Sequence, residues 1–455
     1  MNKTRSRLIA WGAVLAFALL VRVGAAVYWQ ARLPDDQQFA FPDSESYWEL
    51  GERIARGEPY QFAGSQAFRT PGYPVLLSPL FVAFGEQPPV LAARIVGALL
   101  GVGVVAGVGV LAWKLFDERS GWIAALLCAL YPGAIAMSIL VLSEALFCLL
   151  MIGQLLLWAM ATVRRSSKIV EKNSDSNSTA LEDRRTLIYA ALAGVLAGLA
   201  TLTRPSWLLF TPFAVGVAVT AFPPRLRQLK IGAAMLCAMA LTMSPWWLRN
   251  ARVLGAFVPT TTQVGASLYD GLHAGATGAS DMSFVSPMEQ EFLQQQPNIE
   301  GSDNTQRRLR YEVQLNQHFA GEAIDWAKAH PTDAASLAVV KFARMWNIWP
   351  NEPSLRSWPV RWIVAIGYLP ILVCALIGAW QFRRRGWPYV MCWLPAAYFT
   401  LLHMVFVGSI RYRQVPMLLL IVLAAGVVAS RVRRSSKAVE LIGRDKSTAL
   451  EDRRT

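Results

Sequence analysis

The sequence predicts an all-α polytopic membrane protein, with about ten transmembrane helices, interfacial helices in a first outer loop and a small, mainly helical outer domain. Three observations predict this fold. Hydrophobic residues fill 54% of the 455 positions and charged residues only 16%, against roughly 25% charge in water-soluble domains. Apolar runs approaching the bilayer-spanning length recur along the chain, a spanning helix needing about 20 such residues. The lysines and arginines behind the net charge of +14 stand mainly at the ends of those runs, where they orient spans and meet anionic headgroups. That placement argues against nucleic acid as the partner of the basic charge.

Taken in order, the expected spans are 8–28, 90–115, 122–137, 140–162, 187–202, 207–221, 231–248, 360–380, 387–407 and 415–429. The basic stretch Met1–Arg7 precedes the first run. That run is longer than a signal-peptide core, so a retained helix is expected. Basic clusters at Lys3/Arg5/Arg7, Arg164/Arg165, Arg225/Arg227/Lys230, Arg383–Arg385 and Arg431/Arg433/Arg434 fall on one side. By the positive-inside rule this side is cytoplasmic and holds both termini, which places the chain in the cell inner or plasma membrane. The resulting domains are a transmembrane core, 1–248, with a first outer loop (29–88) and a cytoplasmic low-complexity insert (163–186). A large outer loop domain (249–358), C-terminal transmembrane helices (359–430) and a disordered tail (431–455) follow. The insert and the tail are copies of one another, at a constant offset of 269 residues, sharing VRRSSK and STALEDRRT. Their composition cannot bury a core, so disorder is expected.

All five cysteines lie in apolar runs and are expected as buried thiols rather than a disulfide framework. The four histidines show no ligand spacing, and His330 before Pro331 is expected to cap a helix. Carboxylates leave a divalent cation open. No phosphate-binding loop or dinucleotide fingerprint is found, so no nucleotide cofactor is expected.

The first outer loop is the most informative segment. Pro42-Asp43-Ser44 opens a helical pattern closed by Gly57, and Pro71–Phe84 is apolar but too short to span. Both suit helices lying at the membrane surface or re-entering it. Asp43 has a capping reading, with Ser46 and Glu49 as a competing capping box. Arg69 has an anchoring reading at headgroup depth. Glu144, just inside an apolar run, is an expensive carboxylate and a candidate partner to Asp43 or metal ligand. In the large loop Asp270, His273 and Trp346 are candidates to face an acceptor, with packing as the alternative.

These residues resemble a known family. Asp43-Ser-x-x-Tyr47, Gly57 and Arg69-Thr-Pro-Gly-Tyr73-Pro74 look like the first outer loop of GT-C glycosyltransferases, among them the protein O-mannosyltransferases and the lipid A aminoarabinose transferases. Leu142-Ser-Glu144-Ala-Leu-Phe147, Gly198–Pro205, Ser244–Asn250 with Gly255–Pro259, and Arg411-Tyr-Arg413 resemble later motifs of that family, in the same order. Two departures stand out: Asp-Ser where many relatives have Asp-Glu, and Arg69-Thr-Pro-Gly in place of lysine before paired prolines.

The resemblance implies transfer of a sugar from a polyprenyl-phosphate carrier to a glycan, lipid or protein acceptor on the outer face, with inversion. It implies Asp43 as general base; Glu144 is the second catalytic candidate, from its place just inside an apolar run. Arginine's fork suits phosphate oxygens, so Arg69, Tyr73, Arg204, Arg249 and Arg411 are the candidate substrate-binding residues. The competing functional classes are a polymerase or ligase of polyprenyl-linked glycans and a polytopic transporter. The lack of a span-level repeat and the near lack of charge at mid-membrane depth count against the transporter.

Overall fold

The computed structural model describes residues 3–34, 37–39, 41–163, 176–295, 305–350 and 357–451, with backbone alone for residue 3 and for 176–180, 305–310 and 434–451. Among these residues the chain is helical, with no strand. Helix α1 is Lys3–Gln30; the first loop carries α2, Pro42–Arg56, and α3, Gly72–Phe84. The core continues with α4 (Val90–Leu115), α5 (Glu118–Leu130), α6 (Pro132–Ile139), α7 (Glu144–Thr162), α8 (Ser176–Thr203), α9 (Phe210–Ala221) and α10 (Arg225–Leu254). The large loop folds as α11 (Val264–Gly271), α12 (Val285–Gln295), α13 (Thr305–Ala329) and α14 (Pro331–Trp346). The chain ends with α15 (Trp358–Phe382), α16 (Trp387–Val390), α17 (Leu394–Val405) and α18 (Ile410–Glu451).

Seven described helices are long and apolar enough to cross a bilayer, and α5 with α6 makes an eighth if the pair is one span. About ten spans were expected, and three of the ranges take other forms. Residues 122–137 are broken by a 59° bend between α5 and α6, because Pro132 has no N–H to continue the helix and begins the next one instead. Residues 205–221 and 394–405 are shorter apolar helices.

Pairings at the two ends of the bundle show that the shortened segments still join one end to the other. At one end Gln30 accepts from Arg94 Nε at 2.9 Å, and Arg204 pairs with Glu144 at 2.8 Å. At the opposite end Arg7 meets Glu118 at 2.9 Å, and Arg227 donates to the Ala161 carbonyl at 3.2 Å. There too Tyr389 donates to the Leu115 carbonyl at 2.5 Å. Residues 205–221 therefore connect the Arg204 end to the Arg227 end, and α16 with α17 makes a return crossing.

The last helix is the hub. From Val415 to Ala429 nearly every side chain of α18 is buried, as expected of a helix apolar all round. Helix α1 is peripheral, only 11% of its apolar window being covered. Yet α1 carries Arg22, fully buried and donating to the carbonyls of Ala18 (3.3 Å), Cys128 (3.2 Å) and Ala129 (3.2 Å). The last two carbonyls lie at the α5–α6 break, where Pro132 withdraws a helical donor. Arg22 is thus a charge within an apolar run, held by backbone oxygens.

Other expectations are corrected. Cys128, Cys148 and Cys392 are buried, but Cys374 is half-buried and Cys237 exposed. His330 does cap a helix end, that of α13, where its ring meets the last-turn carbonyl of Trp326 at 3.1 Å; it gives α14 no side-chain hydrogen bond. Disorder was expected for the repeated tracts, but α8 begins within the first at Ser176 and α18 continues through the second to Glu451. Ala, Leu, Glu and Arg in those tracts are good helix formers. Residues 164–175 and 452–455 lie outside the described residues.

Candidate active site

Helix α2 starts at Pro42, whose fixed φ suits the first helical position, so Asp43 falls in the first turn. Phe41 holds the N-cap position and no side chain caps the helix. Asp43 is therefore not a cap. Its carboxylate lies between two guanidinium groups: Oδ1 accepts from Arg69 at 2.8 Å and Oδ2 from Arg411 at 3.2 Å. Ser46 is not a capping-box residue either. Its hydroxyl accepts from Arg69 Nε at 3.0 Å and donates to the Asp43 carbonyl at 2.8 Å, while Glu49 pairs with Arg53 at 3.0 Å.

Arg411, in the first turn of α18, reaches across to Glu144 at the start of α7, with Nε at 2.5 Å from Oε1. Arg204, just past α8, meets the same oxygen at 2.8 Å. The result is a ladder of alternating charge, Arg69–Asp43–Arg411–Glu144–Arg204, built from five separate segments at one end of the bundle. Close packing holds the segments in register. A Cβ on Gly72 would come within 2.6 Å of Thr203 Oγ1, so only glycine lets α3 approach the end of α8. Tyr47 and Tyr73 pack edge-on at 5.2 Å beneath Arg69, whose guanidinium lies 5.1 Å from the Tyr47 ring centre.

The two acids differ in access. The Asp43 side chain is 40% exposed and that of Glu144 only 2%. Burial acts to raise the Asp43 pKa, but Arg69 and Arg411 outweigh it and hold the carboxyl below the usual aspartate range. Glu144 is reached only through its arginines, and its Oε2 has no partner among the described residues.

The sequence-based candidates Asp43, Arg69, Glu144, Arg204 and Arg411 thus converge. Tyr73, 2% exposed, lies below them. Arg249 does not join; it donates to the carbonyls of Gln66 (2.6 Å) and Tyr60 (2.8 Å), bracing the loop that leads to Arg69. Sequence reasoning missed a second brace, Glu312 of α13. Its carboxylate accepts from the backbone N–H of Gln66 (2.7 Å) and Ala67 (2.9 Å) and from the Thr262 hydroxyl. Nothing in the sequence marked it, because Glu312 is one of several acids in an amphipathic helix and its burial shows only in the fold. Asp270 receives Ser280 and the Asp281 N–H, at 2.7 and 2.8 Å. His273 stacks on Tyr269, and Trp346 donates to Thr400. All three pack.

Among the described residues no three His, Cys, Asp or Glu side chains converge on a metal site. Glu144 Oε1 is shared by two guanidinium groups, and each Asp43 oxygen has one. This donor set suits an anion arriving at the arginines better than a divalent cation arriving at the acids.

The helices define a polytopic all-α membrane protein with a GT-C-like fold. The likeness is to archaeal oligosaccharyltransferase AglB from Archaeoglobus fulgidus. In complex with an inhibitory peptide and a dolichol-phosphate, AglB matches at TM-score 0.55 and 16% identity, over 96% of this chain and 52% of AglB. In its apo form it matches at TM-score 0.57 and 17% identity, over 95% and 52%. The chain therefore spans about half the length of these structures. ArnT from Cupriavidus metallidurans, bound to undecaprenyl phosphate, overlaps less well, with TM-score 0.44 and 16% identity over 93% of this chain and 79% of ArnT. No protein-family model matches the sequence, and no curated protein matches it.

Proposed function

We propose that the chain is an integral membrane glycosyltransferase. It takes a sugar from a polyprenyl-phosphate-linked donor and passes it, with inversion, to an acceptor on the outer face of the inner or plasma membrane. The observation that carries this reading is the ladder, in which one exposed carboxylate lies between two arginines while a buried one anchors the second. The GT-C fold supports it, as does the dolichol-phosphate held by AglB.

Asp43 is the base, being the acid that an acceptor can reach. In the ladder its low pKa makes it a weak base. A donor phosphate competes for Arg69 and Arg411, and each guanidinium drawn toward phosphate leaves Asp43 more basic. The acceptor oxygen then bonds to the anomeric carbon as the carbon–oxygen bond to phosphate breaks. The electron pair stays on the departing lipid phosphate, which the arginines stabilise, and the hydroxyl proton goes to Asp43. Glu144 acts by holding Arg204 and Arg411 in place, a positioning role, and Tyr73 packs edge-on against Tyr47, whose ring lies against Arg69. Arg249 is a brace for the loop on this reading.

Lipid mass spectrometry of a strain lacking the protein, beside its parent, tests the class. Accumulation of a polyprenyl-phosphate sugar with loss of one glycan is expected. An unchanged lipid-linked sugar pool would overturn the reading, and flux through proteoliposomes without transfer would replace it by a transporter. For the arginine seat, Arg69→Ala should weaken donor binding more than Arg69→Lys, which keeps the charge and loses the fork. Undiminished donor affinity in both variants would reduce Arg69 to an anchor.

A further inference from the structure

The end of the bundle opposite the ladder carries a cavity that the proposed reaction does not use. It measures about 330 Å³ and lies between the ends of α4, α7 and α9 and the starts of α10 and α16. That is at the small end of the roughly 300–1,000 Å³ typical of ligand sites. Lys114, Arg227 and Arg385 line it, and none of its lining residues is acidic. None of these three cations has a carboxylate partner among the described residues. Arg227 gives one N–H to the Ala161 carbonyl, Lys114 lies 5.7 Å from the Trp113 ring centre, and Arg385 lies over Phe382 at 4.7 Å. Three cations round one cavity without an anion repel one another.

Two buried polar groups, unpartnered among the described residues, belong to residues of the same lining. Trp387, which lines the cavity and is 2% exposed, has an indole N–H with no partner among the described residues. A buried donor left unpaired costs about 1–3 kcal/mol. Gln228, also lining and 8% exposed, has an unpartnered carboxamide oxygen; in the other amide orientation it presents its NH₂ there. Leu115, Phe222, Pro223 and Pro224 form an apolar wall beside these donors.

We propose that this cavity binds a phosphate ester, presented by the headgroup of an anionic phospholipid. The oxygens of the ester accept from Lys114, Arg227, Arg385 and the Trp387 indole, and the glycerol and first methylenes lie along the apolar wall. Basic pockets between helices at a membrane surface are suited to such headgroups. The site is independent of the transfer reaction and stands or falls separately from it.

The test uses the full chain in detergent, with native mass spectrometry to count retained phosphatidylglycerol against phosphatidylcholine. A parallel melting series adds glycerol phosphate. Wild type is expected to prefer phosphatidylglycerol. Each cation removed should weaken that preference about fivefold, and Lys114→Gln/Arg227→Gln/Arg385→Gln together should abolish it. Trp387→Phe should weaken it by several-fold, and none of the charge variants should melt below wild type without ligand. Arg384→Gln removes an exposed neighbouring charge that does not line the cavity and should change nothing. Stabilisation by glycerol phosphate, lost in the triple variant and unaccompanied by lipid preference, would keep the phosphate site and assign its ligand to the water phase. Equal behaviour of wild type and triple variant toward both probes would overturn the proposal. So would an Arg384→Gln loss as large as that of Arg385→Gln.

Discussion

Asp43 has two oxygens and two arginines, and the pairing explains why its substitution should separate chemistry from stability. Asp43→Asn keeps the shape but cannot accept a proton. General-base help is typically worth about 10²–10⁴ in rate, so turnover should fall by at least about 10²-fold in a protein that still inserts. Stability should respond with a definite sign. The folded carboxyl has a lowered pKa, so its contribution is complete above the ordinary aspartate value and lost as pH falls through the folded one. Melting temperatures of wild type and Asp43→Asn should therefore differ at pH 7 and at pH 5, and converge only in strong acid. Near-wild-type turnover in the Asn variant would remove Asp43 from the reaction. Each member of the ladder was legible singly, Asp43 at the start of a surface helix and the other four beside apolar stretches. Their pairing was not, because Arg411 lies 267 residues from Glu144 and 368 from Asp43, and no spacing rule reaches that far.

At the scale of elements, the stretch between α2 and α3 is held from outside itself. Arg249 takes its carbonyls and Glu312 its N–H groups, on both sides of the peptide that leads to Arg69. Glu312→Gln offers one acceptor oxygen where two served, leaving a buried N–H or the Thr262 hydroxyl unpaired. About 1–3 kcal/mol should be lost, read as a lower melting temperature, together with a raised donor KM as Arg69 loosens. An unchanged melting point would mean the brace carries no energy. The surface helices α2 and α3 were readable from local signals: Pro42, the apolar stripe, Gly57 at φ 69°, and an apolar stretch too short to span. The bend at Pro132 was carried by one residue inside an apolar run, and hydropathy averages over such a residue.

For the whole molecule, the alternation of ends predicts topology. Reporters fused at Ser176 and after Ser436 should read cytoplasm, and one at Asn298 the opposite side; a cytoplasmic signal at Asn298 would overturn the arrangement. Deleting Lys437–Thr455, far along α18 from Arg411, should leave turnover nearly unchanged. A large loss at normal membrane abundance would give the repeated tract a role. The fold class was legible because a bilayer demands long apolar runs with charged ends. Burial order was not: the hub α18 and the peripheral α1 have similar mean hydropathy, 2.3 and 2.1. Which helix meets lipid is decided by its neighbours rather than by its own composition.

Arg22 ties the history of one helix to that of another. A lone arginine near the centre of a helix costs about 2.5–3.5 kcal/mol on insertion, so α1 enters the bilayer handicapped. The carbonyls of Cys128 and Ala129 are equally ill-placed in hydrocarbon until a donor arrives. Each defect is the remedy for the other, and neither is relieved until α5 and α6 have been made and docked. The first helix therefore waits, incompletely settled, for more than 100 residues of further synthesis. A change to leucine there would ease the entry of α1 while stranding two oxygens in the finished bundle, improving the part and harming the whole.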